Sequence, residues 1–291
     1  MAHLYTIIRS GNDFSVSAND GPAFFVGRRV PYQGHIGLAN IVGGSRLKRL
    51  VFDPAKFTDR FGFWAEFIDP TTHCEGRNFL ALNSYDRAAF TFGFGQFAAH
   101  VPGGDFVQYL RSLLGLPDAQ DYFPHLRIKD GHIHSIDGAG GSLALEDANS
   151  TAKLMAYLNP TLDEVEDAEV IAAARLIHWT TVSVAAQEEQ VSQMVATFKS
   201  FMTRAQARVG IDGRSADLCC VIADILHHGR GGRMTWPLID ESLKSAKPLE
   251  ALLSIGVPPW KDRCEKLRKA IAANPNFKTK HWDAESKDFR D

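Results

Sequence analysis

Apolar positions in the C-terminal half of the chain recur at helical spacing. Val191, Val195, Phe198, Met202, Ala205 and Val209 follow one another at intervals of 4, 3, 4, 3 and 4 residues, which puts one apolar stripe along a helix. Such a stripe suits packing inside a core better than a coiled-coil partner when only one helix of this length carries it. Ser215 is placed to cap a further helix through Leu218, Val221, Ile222, Ile225 and Leu226, with Gly229 as its stop. Everything after about residue 143 reads as mainly helical. Upstream, Asp53 ahead of Pro54 opens a helical pattern through Phe57, Phe61, Trp64, Phe67 and Ile68, expected to end before Pro70. Asp105 caps a short helix carrying Phe106, Val107, Leu110 and Leu114, stopped by Gly115 and Pro117. Residues 126–136, LRIKDGHIHSI, alternate around Asp130-Gly131 and predict a hairpin. In residues 1–50, short apolar pieces are broken by glycine, proline and asparagine, which predicts an irregular segment of turns and short strands. Gly138 to Ser142, GAGGS, is the candidate hinge, and no internal repeat or low-complexity tract is present.

Composition narrows the class. At 291 residues and 45% hydrophobic, the chain fills one large domain or two modest ones and is not disordered. Thirty-two basic against thirty-four acidic residues leave a net charge of -2, too little positive field to hold nucleic acid or anionic lipid. The longest apolar run, Leu218 to Leu226, contains Asp224 and falls short of the roughly twenty residues of a membrane span. A soluble protein without a span is expected. The start, MAHLYTIIRSGND, has no secretory leader, so synthesis in the cytoplasm without a classical signal is expected. Four cysteines, two of them adjacent and none in Cys-x-x-Cys spacing, predict reduced thiols and no zinc ribbon. Charge is uneven: residues 1–50 hold Arg9, Arg28, Arg29, Arg46, Lys48 and Arg49 against two acids, whereas residues 141–170 hold seven acids against Lys153. These runs read as solvated faces, with a basic edge near an anionic polymer as the sharper alternative.

The densest chemistry lies in Thr71 to His100, which gathers Glu75, Asp86, Arg87, Thr91, Gln96 and His100 among aromatics and three glycines. Cleaving a glycosidic bond takes one carboxylic acid to protonate the leaving oxygen, and commonly a second carboxylate to activate water. Eleven residues separate Glu75 from Asp86. That spacing suits an acid at the end of a helical turn and a partner on a following hairpin, with inversion predicted if about 6.5–9.5 Å separates them. Phe79, Tyr85, Phe90 and Phe92 are the apolar residues available to keep a carboxyl protonated. They serve equally as core, and Tyr85, with its polar tip, is the best candidate to stack on a sugar. Plain salt bridges from Glu75 to Arg77 and from Asp86 to Arg87 are the simpler alternative. Thr91 and Gln96 either orient water and sugar hydroxyls or satisfy the backbone of a turn.

Glu75, Tyr85-Asp86-Arg87 and Phe92-Gly93-Phe94-Gly95-Gln96-Phe97 together resemble the active-site stretch of the lysozyme-like superfamily, most closely goose-type lysozymes and lytic transglycosylases. There a catalytic glutamate ending a helix is followed about twenty residues on by a Gly-Leu-Met-Gln-like turn; here Glu75 to Gln96 is twenty-one. The helical remainder is similar in flavour to chitosanases. The resemblance covers about thirty residues. It implies an α+β, mainly helical lysozyme-like fold with a short hairpin: an irregular segment 1–50, an active-site lobe 51–140 and a helical lobe 141–291. It implies hydrolysis of β-1,4 bonds of peptidoglycan, with Glu75 as general acid, Asp86 as base or electrostatic partner, and Tyr85, Thr91, Gln96 and His100 as substrate-binding residues. No cofactor or metal is implied. Chitosan cleavage, lytic transglycosylation and glycan binding without catalysis are the alternatives. Action on the cell wall would follow export or lysis, with an export machine or an immunity protein as partner. Gly76 stands where the family has serine, and Pro70 lies five residues upstream. If the acid-bearing helix cannot pass Pro70, Glu66 is the rival acid.

Three further constellations compete. Cys74 with His73 or His100 suggests a cysteine peptidase or amidase, for which only His100 is placed to act. His132 and His134 share a strand face as two metal ligands would, but no third ligand is announced. His227-His228 before GRGGR reads as a helix end with a glycine cap rather than a phosphate loop.

Overall fold

A computed structural model describes residues 1–41 and 47–291; Arg46, counted above among the N-terminal basic residues, lies outside them. Four strands open the chain: β1 (Tyr5–Ser10), β2 (Asp13–Ala18), β3 (Phe24–Tyr32) and β4 (His35–Ala39). Two helices, α1 (Thr58–Phe61) and α2 (Phe63–Cys74), precede the short strands β5 (Leu82–Asn83), β6 (Thr91–Phe92) and β7 (Phe97–Ala98). Then come α3 (Asp105–Leu114), α4 (Ala119–Tyr122), β8 (Leu126–Lys129), β9 (His132–Ile136) and β10 (Ser142–Ala144). The remainder is α5 (Ala152–Leu158), α6 (Asp167–Val182), α7 (Val184–Val209), α8 (Ala216–His228), α9 (Thr235–Lys244), α10 (Pro248–Ser254), α11 (Lys261–Ala272), α12 (Asn276–Thr279), β11 (His281–Asp283) and β12 (Asp288–Arg290). The architecture is mixed α+β, with 46% helix and 19% strand, so helix predominates.

The chain forms two interleaved compact units, the first of residues 1–52 and 78–193, the second of 53–77 and 194–291. This division replaces the boundaries 1–50, 51–140 and 141–291 expected from the sequence. Residues 1–50 are also not irregular. β1 to β4 are the first four members of a seven-stranded antiparallel sheet whose strands follow chain order. In β2, Phe14 and Val16 are buried while Ser15 and Ser17 alternate with them, the period of a half-buried strand. Turn residues at Gly11, Asn19-Asp20 and Gln33-Gly34, all with positive φ, dominate the local composition and obscure that period.

Helix α6 packs on β1, β2 and β3. Ala172, Ala173 and Ala174 are buried in succession, so the helix is enclosed on more than one side. Phe90, Phe92 and Phe94 are fully buried, with Phe94 stacked on Phe52 at 5.0 Å and edge-on to Phe79 at 4.9 Å. These rings are core.

In the second unit, Phe67 of α2 meets Phe289 at 4.6 Å, Phe277 at 6.1 Å and Phe198 at 6.2 Å. The predicted stripe of α7 is buried at Val191, Val195, Phe198, Met202 and Ala205. Asp53 accepts a hydrogen bond from the Ala55 amide, as a cap ahead of Pro54 should. The helical pattern then breaks at Gly62 (φ +57°, ψ -142°), a conformation that disfavours side chains, and α2 runs through Pro70 rather than ending before it. The Asp130-Gly131 hairpin forms with Lys129 opposite His132. Gly138 to Ser142, expected to be a hinge, is instead a tight turn between β9 and β10, its amides at Ala139 and Gly141 bonded to Asp137. Two of the seven acids expected on solvated faces, Glu146 and Glu169, are buried. No helix among the described residues is long and apolar enough to cross a membrane.

Candidate functional site

Glu75 occupies the C-cap of α2. Gly76 (φ +89°) and Arg77 (φ +58°) turn the chain left-handed, and the Arg77 amide returns to the Thr72 carbonyl at 2.9 Å. This is a Schellman ending, which accounts for glycine directly after the glutamate. A carboxylate at the negative end of a helix is electrostatically disfavoured. Arg263, in the first turn of α11, compensates by donating from Nη1 to Glu75 Oε1 at 2.7 Å. The same guanidinium donates from Nη2 to Asp224 Oδ1 at 2.7 Å, and Arg230 Nη1 donates to Asp224 Oδ2.

Four charges, two of each sign, therefore form one chain from α8 through α11 to α2. Asp224 and Arg230 are fully buried and Arg263 nearly so, while Glu75 keeps 19% of its side chain exposed. Burial alone would raise the Asp224 carboxyl, but the Arg263 hydrogen bond and the two guanidinium charges hold it below its usual range. His227 Nε2 stands 3.9 Å from Glu75 Oε1. Among the described residues Glu75 Oε2 accepts no hydrogen bond, so one oxygen of an otherwise anchored carboxylate is uncommitted.

Asp86 belongs to the first unit, in the loop joining β5 to β6. The loop is fixed at both ends: Asn159 Nδ2 donates to the Ser84 carbonyl at 2.9 Å and to the Ala89 carbonyl at 3.0 Å. Below it, the Ser84 hydroxyl donates to buried Glu169, which also accepts the Leu38 amide at 3.1 Å. Gly37 makes this approach feasible, since a Cβ there would lie 2.6 Å from the Ser84 carbonyl carbon. Asp86 Oδ1 accepts the Ala88 amide at 2.9 Å. A cleft of about 390 Å³ opens beside the loop, lined by Tyr32, Gln33, His35, Tyr85, Asp86 and Arg87. Tyr85 packs against Tyr32 at 5.3 Å. Burial, then the neighbouring Asp86 charge and Tyr32, raise the Tyr85 phenol above its usual range, so it remains a hydrogen-bond donor.

The other expected substrate-binding residues are also in the first unit. Thr91 is buried in β6, paired with Asn83 and Ala98. Gln96 (φ +52°) donates from Nε2 to the Gly93 carbonyl at 3.1 Å and accepts from Asn83 at 3.4 Å, holding its own turn. From α7, Gln190 Oε1 accepts the Phe94 amide and its Nε2 donates to the Phe79 carbonyl at 3.0 Å. His100 has a buried Nδ1 without a partner among the described residues. Tyr85, Asp86, Thr91, Gln96 and His100 thus share the first unit, and Glu75 belongs to the second.

The expected salt bridges are replaced by others. Arg77 pairs with Asp69 at 3.0 Å, leaving Glu75 to Arg263. Glu66, the rival acid, accepts from Asn274 and Asn276, both at 2.7 Å, and ties α2 to its neighbours. The Cys74 thiol is pushed up to about 12, by burial first and then by the Asp224 charge, and contacts only backbone carbonyls at 3.6 Å. That disfavours a thiolate nucleophile. His132 lies against Glu146 and Arg111, and His134 against Ser142; no group of three or more metal-ligating side chains occurs among the described residues. His227 and His228 end α8 ahead of the Gly229 cap, and Arg230 of GRGGR is consumed by Asp224.

Sequence reasoning missed Asp224, Arg230, Arg263, Asn159, Tyr32 and His35. One signal was available: Asp224 is a charge inside the most apolar run of the chain, and a buried charge requires partners. The fold and site define a mixed α+β protein with an anchored glutamate in one unit and a tyrosine-lined aspartate cleft in the other. No family model, curated protein or solved structure matches the chain.

Proposed function

We propose that the chain is a lysozyme-like glycoside hydrolase acting on the β-1,4 bonds of peptidoglycan, with Glu75 as general acid and Asp86 as base or electrostatic partner. The observation that carries this reading is the chain of Glu75, Arg263, Asp224 and Arg230. It fixes one oxygen of a helix-ending carboxylate and leaves the other, among the described residues, open to a bridging sugar oxygen once the carboxyl carries a proton. Asp224 matches one of the two buried guanidiniums, so Glu75 faces a single remaining cation rather than two. Asp86 similarly commits one oxygen to the Ala88 amide and lines a cleft with two tyrosines. In that cleft it is available to orient a water, with Tyr85 and Tyr32 offering faces to a pyranose ring.

Action on the wall after export or lysis belongs to the same proposal. Chitosan is the nearest rival substrate, but burial of Glu146 and Glu169 removes two of the acids that would have met a cationic polymer. The test is digestion of purified peptidoglycan and of chitosan, with products read by mass spectrometry. Glu75→Gln is expected to lower turnover by at least about 10²-fold, the scale of a lost general acid, and Asp86→Asn to lower it without abolishing glycan binding. New reducing ends indicate hydrolysis, whereas anhydro-muramyl ends indicate transglycosylation. Full activity of Glu75→Gln on every glycan removes the assignment.

A further inference from the structure

Trp260 is the most exposed tryptophan in the second unit's buried-network neighbourhood, with 46% of its surface open to solvent. It stands at the N-cap of α11, three residues before the Arg263 that holds Glu75. His228, at the end of α8, meets it edge-on with centroids 4.4 Å apart and planes at 71°. Its amide donates to the Gly256 carbonyl at 3.1 Å and its carbonyl accepts the Cys264 amide at 3.0 Å. The loop carrying it is held from below by Arg230, which donates from Nε to the Ile255 carbonyl at 3.1 Å.

Arg230 therefore binds both Asp224 and the tryptophan's loop, and Arg263 binds both Asp224 and Glu75. One set of ion pairs positions the acid and the indole together. Among the described residues His228 has a buried Nδ1 with no partner, and the adjacent His227 stands 3.9 Å from Glu75. An exposed, oriented indole beside polar side chains matches the alternation of a pyranose, which has an apolar C–H face and a rim of hydroxyls. A ring whose backbone is bonded and whose one edge meets His228 loses less entropy on stacking than an uncontacted one.

We infer that Trp260 is the stacking platform of a sugar subsite beside Glu75, taking one pyranose ring of the β-1,4 glycan with His228 at its edge. This rests on the reading of Glu75 as the acid of a glycoside hydrolase. The test measures binding of the hexasaccharides of β-1,4 N-acetylglucosamine and of β-1,4 glucosamine by calorimetry, with Glu75→Gln as the background that stops turnover. Adding Trp260→Ala is expected to raise Kd about tenfold or more. Trp260→Phe, which keeps a ring, is expected to recover part of the affinity and to abolish the saccharide-induced shift in tryptophan emission. Unchanged affinity in both Trp260 variants overturns the platform, including the case in which the indole seats a protein segment instead. Full activity of Glu75→Gln overturns the acid assignment alone, because the Trp260 comparison is still read by binding. Absence of binding by both hexasaccharides to the Glu75→Gln parent overturns the Trp260 subsite, while the acid assignment is judged separately by the peptidoglycan digestion.

Discussion

Glu169 is a carboxyl that burial pushes toward its neutral form. Wholly buried on α6, it is raised from 4.5 to about 7, by burial against the weaker pull of Ser84 and the Leu38 amide, and its Oε2 has no partner among the described residues. A carboxyl raised on folding binds more protons in the native state than in the unfolded chain, so its stabilising effect is complete below about 4.5 and is lost as pH rises through about 7. The shift corresponds to about 3 kcal/mol. Glu169→Gln keeps an acceptor for Leu38 and removes the titration. Between pH 4 and pH 8 the wild type should lose up to about 3 kcal/mol relative to this variant in denaturant unfolding; a pH-independent difference contradicts the argument. The same residue illustrates what a sequence hides. Glu169 and Glu146 belong to an acidic run that reads as surface, and nothing local reveals that Ser84 and Arg111 await them. Likewise, Glu75 at a helix end was legible from its spacing, whereas its partner Arg263 lies 188 residues away and no periodicity connects the two.

At the level of elements, helices were easier to read than strands. α8, α7 and the β8–β9 hairpin follow their apolar spacing closely, because each is specified by residues a few positions apart, although Ser215, at the N-cap of α8, makes no side-chain capping bond. The sheet was not legible as a sheet: its strands near the site are two residues long and are defined by neighbours rather than by their own pattern. The Tyr85-Asp86-Arg87 loop depends in turn on a side chain outside it, Asn159, which binds the carbonyls at both of its ends. Asn159→Ala leaves those carbonyls without their donor and should cost about 2–4 kcal/mol. It should also speed hydrogen exchange at the Ala88 and Ala89 amides, which bond to Asp86. Protection unchanged at those two amides would show that the loop holds itself.

For the molecule as a whole, the units are built from discontinuous stretches. Residues 53–77 supply the second unit with α2, whose Phe67 packs against Phe198, Phe277 and Phe289. A fragment of residues 194–291 should therefore lack a cooperative unfolding transition, and a peptide of residues 53–77 added in trans should restore one. Cooperative unfolding of the fragment alone would mean that α2 is dispensable to that core. The sequence placed lobe boundaries where composition changes, but composition does not record a chain that leaves a unit and returns.

That detour separates the sheet's assembly into early and late events. β1 to β4 join through turns of a few residues, and so do β6 and β7, so each ladder is closed by its immediate neighbours. Ala39 meets Asn83 only after the whole intervening stretch, including α2, has been looped out. The entropy of closing that loop falls on a single junction. Among the ladders of this sheet, the β4–β5 seam therefore carries the largest loop-closure cost and is the pairing expected to form last.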